Sequence, residues 1–520
     1  MLNYIFTRTQ AFIVFIALLM TAFANKTFFH KIMQFASAEN NTIIMYSAHV
    51  VFMVISVFAL NLLLLFTYRK SFKFLLSCII IIFALCSYFI DSFGTIIDKD
   101  MINNMMKTDT AEVLDLFTIK LALYFFFLAV IPIALLWYVP LGQRSYKYEF
   151  IQKLSVLLVS LLFIVGFYMG YSKSYSSFFR NHNELKMYMN PYFPIISTIK
   201  YIKIQLRGQR TITPIALDAK RAEKSSKKLV ILVVGETARA ANYSLNGYEV
   251  STNPLMQARN DIVNFSQFYS CGTATAISVP CLFSKFGREE FSDAKNYYEN
   301  LVDVLAKTGV RVIWRDNNSG GHQGVANRMS DVVKYGGKSF DEILFQDLQA
   351  NIDTAKEDTF VVLHLEGSHG PTYFKRYPDT FKKFLPTCDT QDLEKCSQEQ
   401  IVNTYNNTLL YTDFILNESI KLLEKYEGSF ETTLFYVSDH GESLGENGVY
   451  LHGLPYFIAP DTQKHIPALF YFGGANRDKL EKLNRKKAEA FSHDNVFHTM
   501  LGLFEIQTQE YKAERDMLGQ

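Results

Sequence analysis

The chain has 520 residues, enough for more than one domain, and 49% of them are hydrophobic. Its formal net charge is only +2 at pH 7 and no sustained basic stripe is present, so the sequence gives no reason to expect a nucleic-acid partner. The apolar residues are concentrated in the first third, whereas the chain from residue 229 onward has the texture of a soluble protein.

Five apolar segments are long enough to cross a bilayer, which takes about 20 residues. They are residues 10–29, 44–67, 73–93, 117–140 and 152–171. Lys and Arg cluster between the second and third and between the fourth and fifth segments, which marks those ends as cytoplasmic. Five spans then place everything after residue 171 outside the cytoplasm. An alternative is that the first segment is a signal peptide cleaved near Ala22-Phe23-Ala24, which leaves the other orientations unchanged.

The six cysteines divide in the same way. Cys78 and Cys86 lie in an apolar run and, in a helix, would be about 12 Å apart along the axis, too far for a bridge. The polar part contains two closely spaced pairs, Cys271 with Cys281 and Cys388 with Cys396. Local pairs in a polar domain favour disulfides and an oxidising compartment, with four free thiols in the cytosol as the alternative.

Residues 172–228 are a mixed connector, interpreted either as helices lying along the membrane surface or as a solvated linker. From Lys228 onward, short β-rich runs alternate with amphipathic helical stretches, among them 297–307 and 401–426. The runs are at 229–234, 311–314, 359–365, 433–438 and 468–472. This alternation predicts a mostly parallel sheet with helices on both faces.

Polar residues follow several of these runs. Glu236 follows the first run, Asp439 and His440 follow 433–438, and His369 comes shortly after 359–365. Because the carboxyl ends of parallel strands meet at one sheet edge, these side chains are expected to converge there. Carboxylates joined by histidine favour zinc. Taken singly, each carboxylate has an alternative reading as a helix cap.

The segment Cys271–Cys281 is rich in small residues and is expected to enter a helix near Thr275. A hydroxyl at a helix N-terminus meets oriented N–H groups that suit a phosphate. Threonine is a poor nucleophile unless a metal stabilises its alkoxide. The alternative is a Ser/Thr-rich helix cap without chemistry.

Four phrases carry a resemblance to a known family: GETARAANYSLNGY, CGTATAISVPCLFS, LHLEGSHGP and SDHGESLGENGVYLHG. They resemble the phosphoethanolamine transferases that decorate lipid A, including the mobile colistin-resistance enzymes, over nearly the whole chain. The resemblance implies an α-helical membrane domain plus an α/β soluble domain of alkaline-phosphatase (sulfatase) type. The expected divisions are a five-helix domain at 1–171, a connector with interfacial helices at 172–228 and a periplasmic catalytic domain at 229–520.

The resemblance also implies residue roles. Thr275 matches the threonine that becomes covalently modified, and Glu236, Asp439 and His440 match zinc ligands around it. His369 and His452 match histidines that contact phosphoethanolamine or a second zinc. The residues expected to bind substrate are Asn104, Thr108, Glu112, Ser319, His322 and His364. The trio 104, 108 and 112 recurs every four residues on one helical face, and its alternative is an exposed helix without substrate contact.

Two departures from the family pattern stand out. Many relatives carry a lysine near the phrase DNNS (residues 316–319), whereas this chain has His322 there, so His322 is expected to replace that lysine as the cation that contacts phosphate. A histidine near its ordinary pKa is only partly charged at neutral pH, which leaves this role open. The soluble part also has only two cysteine pairs, Cys271–Cys281 and Cys388–Cys396, where many relatives have more.

The expected reaction moves phosphoethanolamine from phosphatidylethanolamine to a lipid A phosphate or another envelope acceptor, through a threonine adduct and with release of diacylglycerol. The expected cofactor is one tightly bound zinc, with room for a second. The expected partners are these two lipids and other membrane lipids, with no nucleic acid, for a monomer in the bacterial inner membrane. Alternatives are a glycerol-phosphate transferase of the same fold and a non-catalytic envelope scaffold. A sulfatase is disfavoured because neither Cys271 nor Cys281 begins a C/S-x-P-x-R sequence.

Overall fold

The computed structural model describes residues 8–106, 116–142, 144–206, 211–222, 226–294 and 297–519. The chain forms two compact units. The first contains the described residues up to Lys99 and from Phe117 to Lys203, and the second contains the described residues of Asp100–Leu116 and Ile204–Gln520.

The first unit is helical. Its helices are Arg8–Ala22, Lys26–Ala38, Thr42–Leu63, Lys70–Phe93, Ile119–Phe125, Ile131–Tyr138, Tyr146–Asn181 and Tyr192–Gln205, with a π-helical turn at Phe126–Val130 and a 3₁₀ helix at Asn183–Tyr188. Among the described residues, four continuous helical stretches are long and apolar enough to span a bilayer: Thr42–Leu63, Lys70–Phe93, Ile119–Tyr138 and Tyr146–Asn181. These match four of the five predicted spans.

The remaining predicted span, 10–29, is not a straight helix. It is a pair of helices, Arg8–Ala22 and Lys26–Ala38, bent by 58° at the break between them. The side chain of Asn25 donates to the carbonyl of Met20 at 2.9 Å, which satisfies a carbonyl that the ended helix leaves open. If the bent pair counts as one span, the total reaches the predicted five.

The last long helix extends beyond the expected boundary at residue 171. Helix Tyr146–Asn181 continues through it, although Tyr171 itself has non-helical φ and ψ of −124° and 20°. The interval 172–228 therefore begins inside a helix and also contains helix Tyr192–Gln205. That these helices lie along the membrane surface remains a prediction.

The second unit is built on strands. They are β1 (Lys220–Arg221), β2 (Lys228–Gly235), β3 (Ile262–Phe265), β4 (Phe268–Tyr269), β5 (Arg311–Asp316), β6 (Asp331–Lys334), β7 (Thr359–His364), β8 (Glu431–Ser438), β9 (Ser443–Leu444), β10 (Tyr450–Leu451), β11 (Ala468–Phe472), β12 (Phe491–Ser492) and β13 (Ile506–Gln507). Seven of them form one sheet in the order β3-β11-β8-β2-β7-β5-β6. Within this seven-stranded sheet only the two pairs that involve β11 are antiparallel, so the predicted mostly parallel sheet is confirmed.

The helices of this unit are Lys99–Met105, Pro254–Gln257, Thr275–Leu282, Arg288–Ala294, Leu301–Lys307, Leu348–Asp353, Gln398–Glu424, Arg477–Lys486 and Val496–Leu503. The predicted helix at 401–426 is confirmed. The one predicted at 297–307 begins only at Leu301, because Asn300 caps it and Asp303 completes a capping box.

Hydrophobic cores lie on both faces of the sheet, as β2 illustrates. Val230, Leu232 and Val234 belong to one core cluster, whereas Leu229, Ile231 and Val233 belong to the other. All are essentially inaccessible to solvent. Burying each such side chain contributes about 1.5–3 kcal/mol. A central strand with two buried faces reads as a continuous apolar run, which is why the sequence located it.

Candidate active site and metal centre

The carboxyl ends of β2, β7 and β8 bring the candidate ligands together. Gly235 at the end of β2 is in register with Ser438 at the end of β8, so Glu236 and Asp439 leave the sheet side by side. The turn after β7 lies beside them, and the backbone N–H of Ser368 donates to the carbonyl of Glu236 at 3.0 Å. The predicted convergence at one sheet edge is therefore present.

Thr275 lies against these ligands. Its Oγ1 donates to Oε2 of Glu236 at 3.1 Å and lies 3.3 Å from Nε2 of His440. The same Nε2 lies 3.4 Å from Oε1 of Glu236 and 3.4 Å from Oδ2 of Asp439. Helix Thr275–Leu282 begins at Thr275, as expected, so the hydroxyl stands at its N-terminus. Sequence positions 236, 275, 439 and 440 thus form one compact group.

The group is buried, and burial shapes its charges. Glu236 is 1% exposed and Asp439 is fully buried. Burial, with the nearby charges of Asp439 and Glu366, raises the pKa of Glu236 well above its ordinary value. Burial also lowers the pKa of His440 to about 3, so its ring is neutral at physiological pH. The neutral ring accordingly keeps a nitrogen lone pair that can bind a metal.

The donor set fits a divalent cation. Oε1 of Glu236 and Oδ2 of Asp439 are buried oxygens without a hydrogen-bond partner. Nδ1 of His440 lies 3.0 Å from the carbonyl oxygen of Gly441, which can only accept a hydrogen bond, so Nδ1 carries the proton. Nε2 is then unprotonated and can bind a metal. Ligand atoms of the three residues all lie within 4.8 Å of one another. Two adjacent buried carboxylates with unpartnered oxygens are costly unless a cation compensates them.

A second group adjoins the first. Ligand atoms of Glu236, His369 and His452 also lie within 4.8 Å of one another. The rings of His440 and His452 are 4.4 Å apart between centroids, and those of His369 and His452 are 5.6 Å apart. Glu442 Oε2 lies 3.3 Å from Nδ1 of His452 and orients that ring. The two histidines therefore border the Thr275 group.

Sequence reasoning did not assign Asn318, although the phrase DNNS contains it. Its Nδ2 donates to Oε2 of Glu236 at 2.7 Å and to the carbonyl of Leu365 at 3.1 Å. Its neighbour Ser319, a predicted substrate-binding residue, is bound through its backbone N–H to Oε2 of Glu366 at 2.8 Å, and its buried hydroxyl has no partner. Asn318 thus holds the same carboxylate oxygen that faces Thr275.

Glu366 and Arg376 also went unnoticed in the sequence. Nη1 of Arg376 lies 3.0 Å from Oε1 of Glu366, and both side chains are buried. Nε of Arg376 donates to the carbonyl of His369 at 2.9 Å. Since Glu366 also holds Ser319, this ion pair ties the histidine to the DNNS segment. No local pattern signals such a contact, because it depends on how separate loops fold together.

Two predicted substrate-binding histidines have other partners. Nδ1 of His364 lies 3.1 Å from Oδ1 of Asp316. Nδ1 of His322 accepts the backbone N–H of Gly324 at 3.1 Å, and its ring packs edge-on against Trp314. Burial, helped by the charge of Lys334, lowers the pKa of His322, which disfavours a charged ring. A phosphate contact by His322 stays a prediction.

The structure describes only part of the predicted substrate-binding trio Asn104, Thr108 and Glu112. Asn104 lies in helix Lys99–Met105, while Thr108 and Glu112 lie outside the described residues. Both predicted cysteine pairs are disulfide-bonded: Cys271 with Cys281, and Cys388 with Cys396. Cys78 and Cys86 are free, as expected.

Comparison with known proteins agrees with this architecture. Residues 228–506 match the family described as Sulfatase, and residues 54–206 match the family described as Phosphoethanolamine transferase EptA/EptB. The chain is 41% identical to phosphoethanolamine transferase EptA of Salmonella typhimurium, with 85% of each chain covered. It is 36% identical to phosphatidylethanolamine transferase Mcr-1 of Escherichia coli, with 96% of this chain and 95% of the relative covered.

A solved structure extends the comparison to the whole fold. The integral membrane protein lipooligosaccharide phosphoethanolamine transferase A (EptA) from Neisseria meningitidis superposes with a TM-score of 0.93 at 36% identity, and 98% of each chain is covered. Together with the apolar helices of the first unit, this match identifies a multi-pass membrane protein with a soluble C-terminal domain. The chain belongs to the EptA/Mcr family of phosphoethanolamine transferases.

Proposed function

We propose that the chain transfers phosphoethanolamine from phosphatidylethanolamine to a lipid A phosphate in two steps, with Thr275 as the nucleophile. The observation that carries the proposal is the hydroxyl of Thr275, which lies within 3.3 Å of both Glu236 and His440. The names of the relatives supply the transferred group and one donor lipid. Lipid A as acceptor rests on the family resemblance.

Glu236, Asp439 and His440, together with the Thr275 hydroxyl, would hold a zinc ion. When bound, zinc favours the alkoxide form of a coordinated hydroxyl and neutralises charge on phosphoryl oxygens. The choice of zinc follows from the mixed carboxylate and histidine donors. One tightly bound ion is proposed, and the Glu236–His369–His452 group offers a place for a second.

In the first step, Oγ1 of Thr275 forms a bond to phosphorus and the bond from phosphorus to the diacylglycerol oxygen breaks. The Thr275 hydroxyl, which donates to Oε2 of Glu236, gives its proton to that oxygen. The departing diacylglycerol oxygen takes a proton from His452 or His369, which border the site. N–H groups at the start of helix Thr275–Leu282 orient the phosphoryl oxygens.

In the second step, an oxygen of the acceptor phosphate attacks the same phosphorus and the bond to Thr275 breaks. The histidine that gave up its proton takes one from the acceptor phosphate, or from water where that phosphate is fully ionised, and Thr275 takes its proton back from Glu236. Ser319, with a buried unpartnered hydroxyl beside Asn318, is proposed to contact the substrate. Asn104, Thr108 and Glu112 are proposed to guide the lipid toward this site.

The enzyme is proposed to reside in the bacterial inner membrane with its soluble domain in the periplasm. Arg69, Lys70 and Lys73 mark one cytoplasmic end. Counting the bent pair Arg8–Ala22 and Lys26–Ala38 as one span gives five spans, which supports a second unit on the opposite side of the membrane. The two disulfides agree with an oxidising compartment.

The decisive test replaces Thr275 by Ala in cells, with lipid A read by mass spectrometry. We expect complete loss of the phosphoethanolamine adduct, whereas Thr275→Ser, which keeps a hydroxyl, retains part of it. An adduct at the wild-type level in Thr275→Ala would show that another residue is the nucleophile. Metal analysis of the purified full chain should give zinc, and stoichiometric magnesium or manganese without zinc would reject the metal assignment.

A further inference from the structure

His493 has both ring nitrogens engaged between two parts of the active site. Its Nδ1 accepts the backbone N–H of Cys271 at 3.1 Å, and its Nε2 donates to the carbonyl of Ser438 at 3.0 Å. The residue is fully buried and lies on the 3₁₀ turn His493–Asn495. A neutral imidazole offers one donor and one acceptor, and here each is satisfied by a different segment.

The first of these segments carries the nucleophile. Cys271 is bonded to Cys281, which lies in the helix that begins at Thr275. The next residue of the turn, Asp494, accepts the N–H of Arg288 at 2.9 Å, beyond the other end of that helix. The guanidinium of Arg288 in turn donates to the carbonyl of Cys271. The turn His493–Asn495 therefore contacts the segment from Cys271 to Arg288, called the nucleophile segment, at both ends.

The second segment carries the proposed metal ligands. Ser438 directly precedes Asp439 and His440, and its Oγ donates to the carbonyl of His440 at 2.9 Å. The same Oγ accepts the N–H of Ala238, two residues after Glu236, at 2.9 Å. One serine thus links the ends of β2 and β8, and His493 joins this link to Cys271.

We propose that His493 is a positioning residue, which fixes the Thr275 hydroxyl relative to Glu236, Asp439 and His440 by holding Cys271 and Ser438 at once. It does not touch the hydroxyl or the ligands in its described hydrogen bonds, so it acts through the two segments. The inference rests on the proposed role of Thr275 as the attacking group.

The test uses His493→Phe in the purified full chain, with phosphatidylethanolamine vesicles as donor, lipid A as acceptor and the modified lipid A followed by mass spectrometry. Phe fills the ring volume but makes neither hydrogen bond. We expect kcat to fall about 10- to 100-fold, since displacements of about 1 Å between reacting groups have effects of this size. KM should stay within about twofold, because substrate contacts are unchanged.

His498→Phe is the matched control. His498 is equally buried, lies five residues further along, and accepts the backbone N–H of Lys512 at 3.2 Å. It should lower the melting temperature by a similar amount without changing kcat. Equal loss of kcat in both variants, or a wild-type kcat in His493→Phe, would overturn the positioning role.

Two further variants, His493→Gln and Thr275→Ala, distinguish failure of the positioning role from failure of the proposed function. Where His493→Phe does not fold, His493→Gln keeps a donor for Ser438 and should show an intermediate loss of kcat, so a wild-type value there also refutes the inference. Thr275→Ala is assayed in parallel. Transfer that persists in Thr275→Ala refutes the proposed function, whereas an inactive Thr275→Ala beside a fully active His493→Phe refutes the positioning role alone.

Discussion

Gly367 offers a way to move one ligand without altering any ligand side chain. It has φ of +53°, and a Cβ added there would lie 2.9 Å from the carbonyl oxygen of Glu236, 3.0 Å from its nitrogen and 3.1 Å from its Cβ. Contacts this short with backbone atoms cannot be relieved by a side-chain rotation. Gly367→Ala must therefore displace the backbone that carries Glu236.

The expected cost has two parts. An alanine held in the left-handed region loses about 1–2 kcal/mol relative to glycine. The second part falls on function, because displaced residues that support metal ligands reduce metal affinity about 10- to 100-fold. We expect Gly367→Ala to lose zinc affinity in this range and to lose transfer activity with it.

Gly309→Ala is a control that separates the loss of stability from the loss of zinc affinity. Gly309 also has a positive φ, +81°, but an added Cβ would meet nothing within 4 Å, and the residue lies between helix Leu301–Lys307 and the start of β5, at the sheet edge away from the site. Gly309→Ala should lower the stability of the protein but leave zinc affinity and transfer activity unchanged. The assay is thermal denaturation of the purified full chain, zinc competition with a chelator, and transfer from phosphatidylethanolamine. Wild-type zinc affinity and activity in a Gly367→Ala protein destabilised like Gly309→Ala would refute the reasoning.

Two further predictions concern polar contacts of buried carboxylates. Asn318→Leu removes the donor that lowers the pKa of Glu236, so the carboxyl becomes harder to ionise; zinc affinity should fall, and more steeply in acidic than in alkaline buffer, in a competition assay. A loss independent of pH would contradict this. Lys228→Met removes a buried ammonium group that lies 3.2 Å from Oε2 of Glu431. Burial raises the pKa of Glu431, but its contacts with Ser226 and Lys228 outweigh burial and lower that pKa. The stabilisation this gives to a partly exposed pair is about 0.5–1 kcal/mol at neutral pH. It is present above the ordinary carboxyl pKa and is lost as the pH falls through the lowered pKa of folded Glu431. Melting temperatures of wild type and variant should therefore differ at neutral pH and converge in acid.

The sequence located the proposed ligands Glu236, Asp439 and His440 because each follows a buried strand. An apolar run such as 229–234 identifies β2 without tertiary information, and parallel pairing then places Glu236 beside Asp439. The start of the helix at Thr275 was also predictable from its local composition. The 58° bend in the first span was not, because it depends on Asn25 taking a carbonyl of the preceding helix.

The supporting contacts could not be predicted for a different reason. Arg376, Asn318 and His493 each act on residues between 7 and 222 positions away, through contacts that no periodicity encodes. An arginine or asparagine in a loop is usually solvated, so composition gives no signal. His322 is a related case: its position just after DNNS predicts a phosphate contact, but the sequence gives no sign that its ring packs against Trp314 or that burial lowers its pKa.

These contacts explain how a chain can keep two carboxylates, a histidine and a hydroxyl together in a buried space. Glu236 and Asp439 lie together in a buried space, where burial and the charge of Asp439 raise the pKa of Glu236. The positions of these side chains depend in part on backbone that is held from outside the group. Gly367 lies against Glu236, Ser438 ties Ala238 to His440, and His493 ties Ser438 to the nucleophile segment. The hydroxyl of Thr275, the proposed nucleophile, is therefore positioned by residues from several parts of the second unit, which is why changes that touch neither the proposed metal ligands nor the substrate should alter kcat.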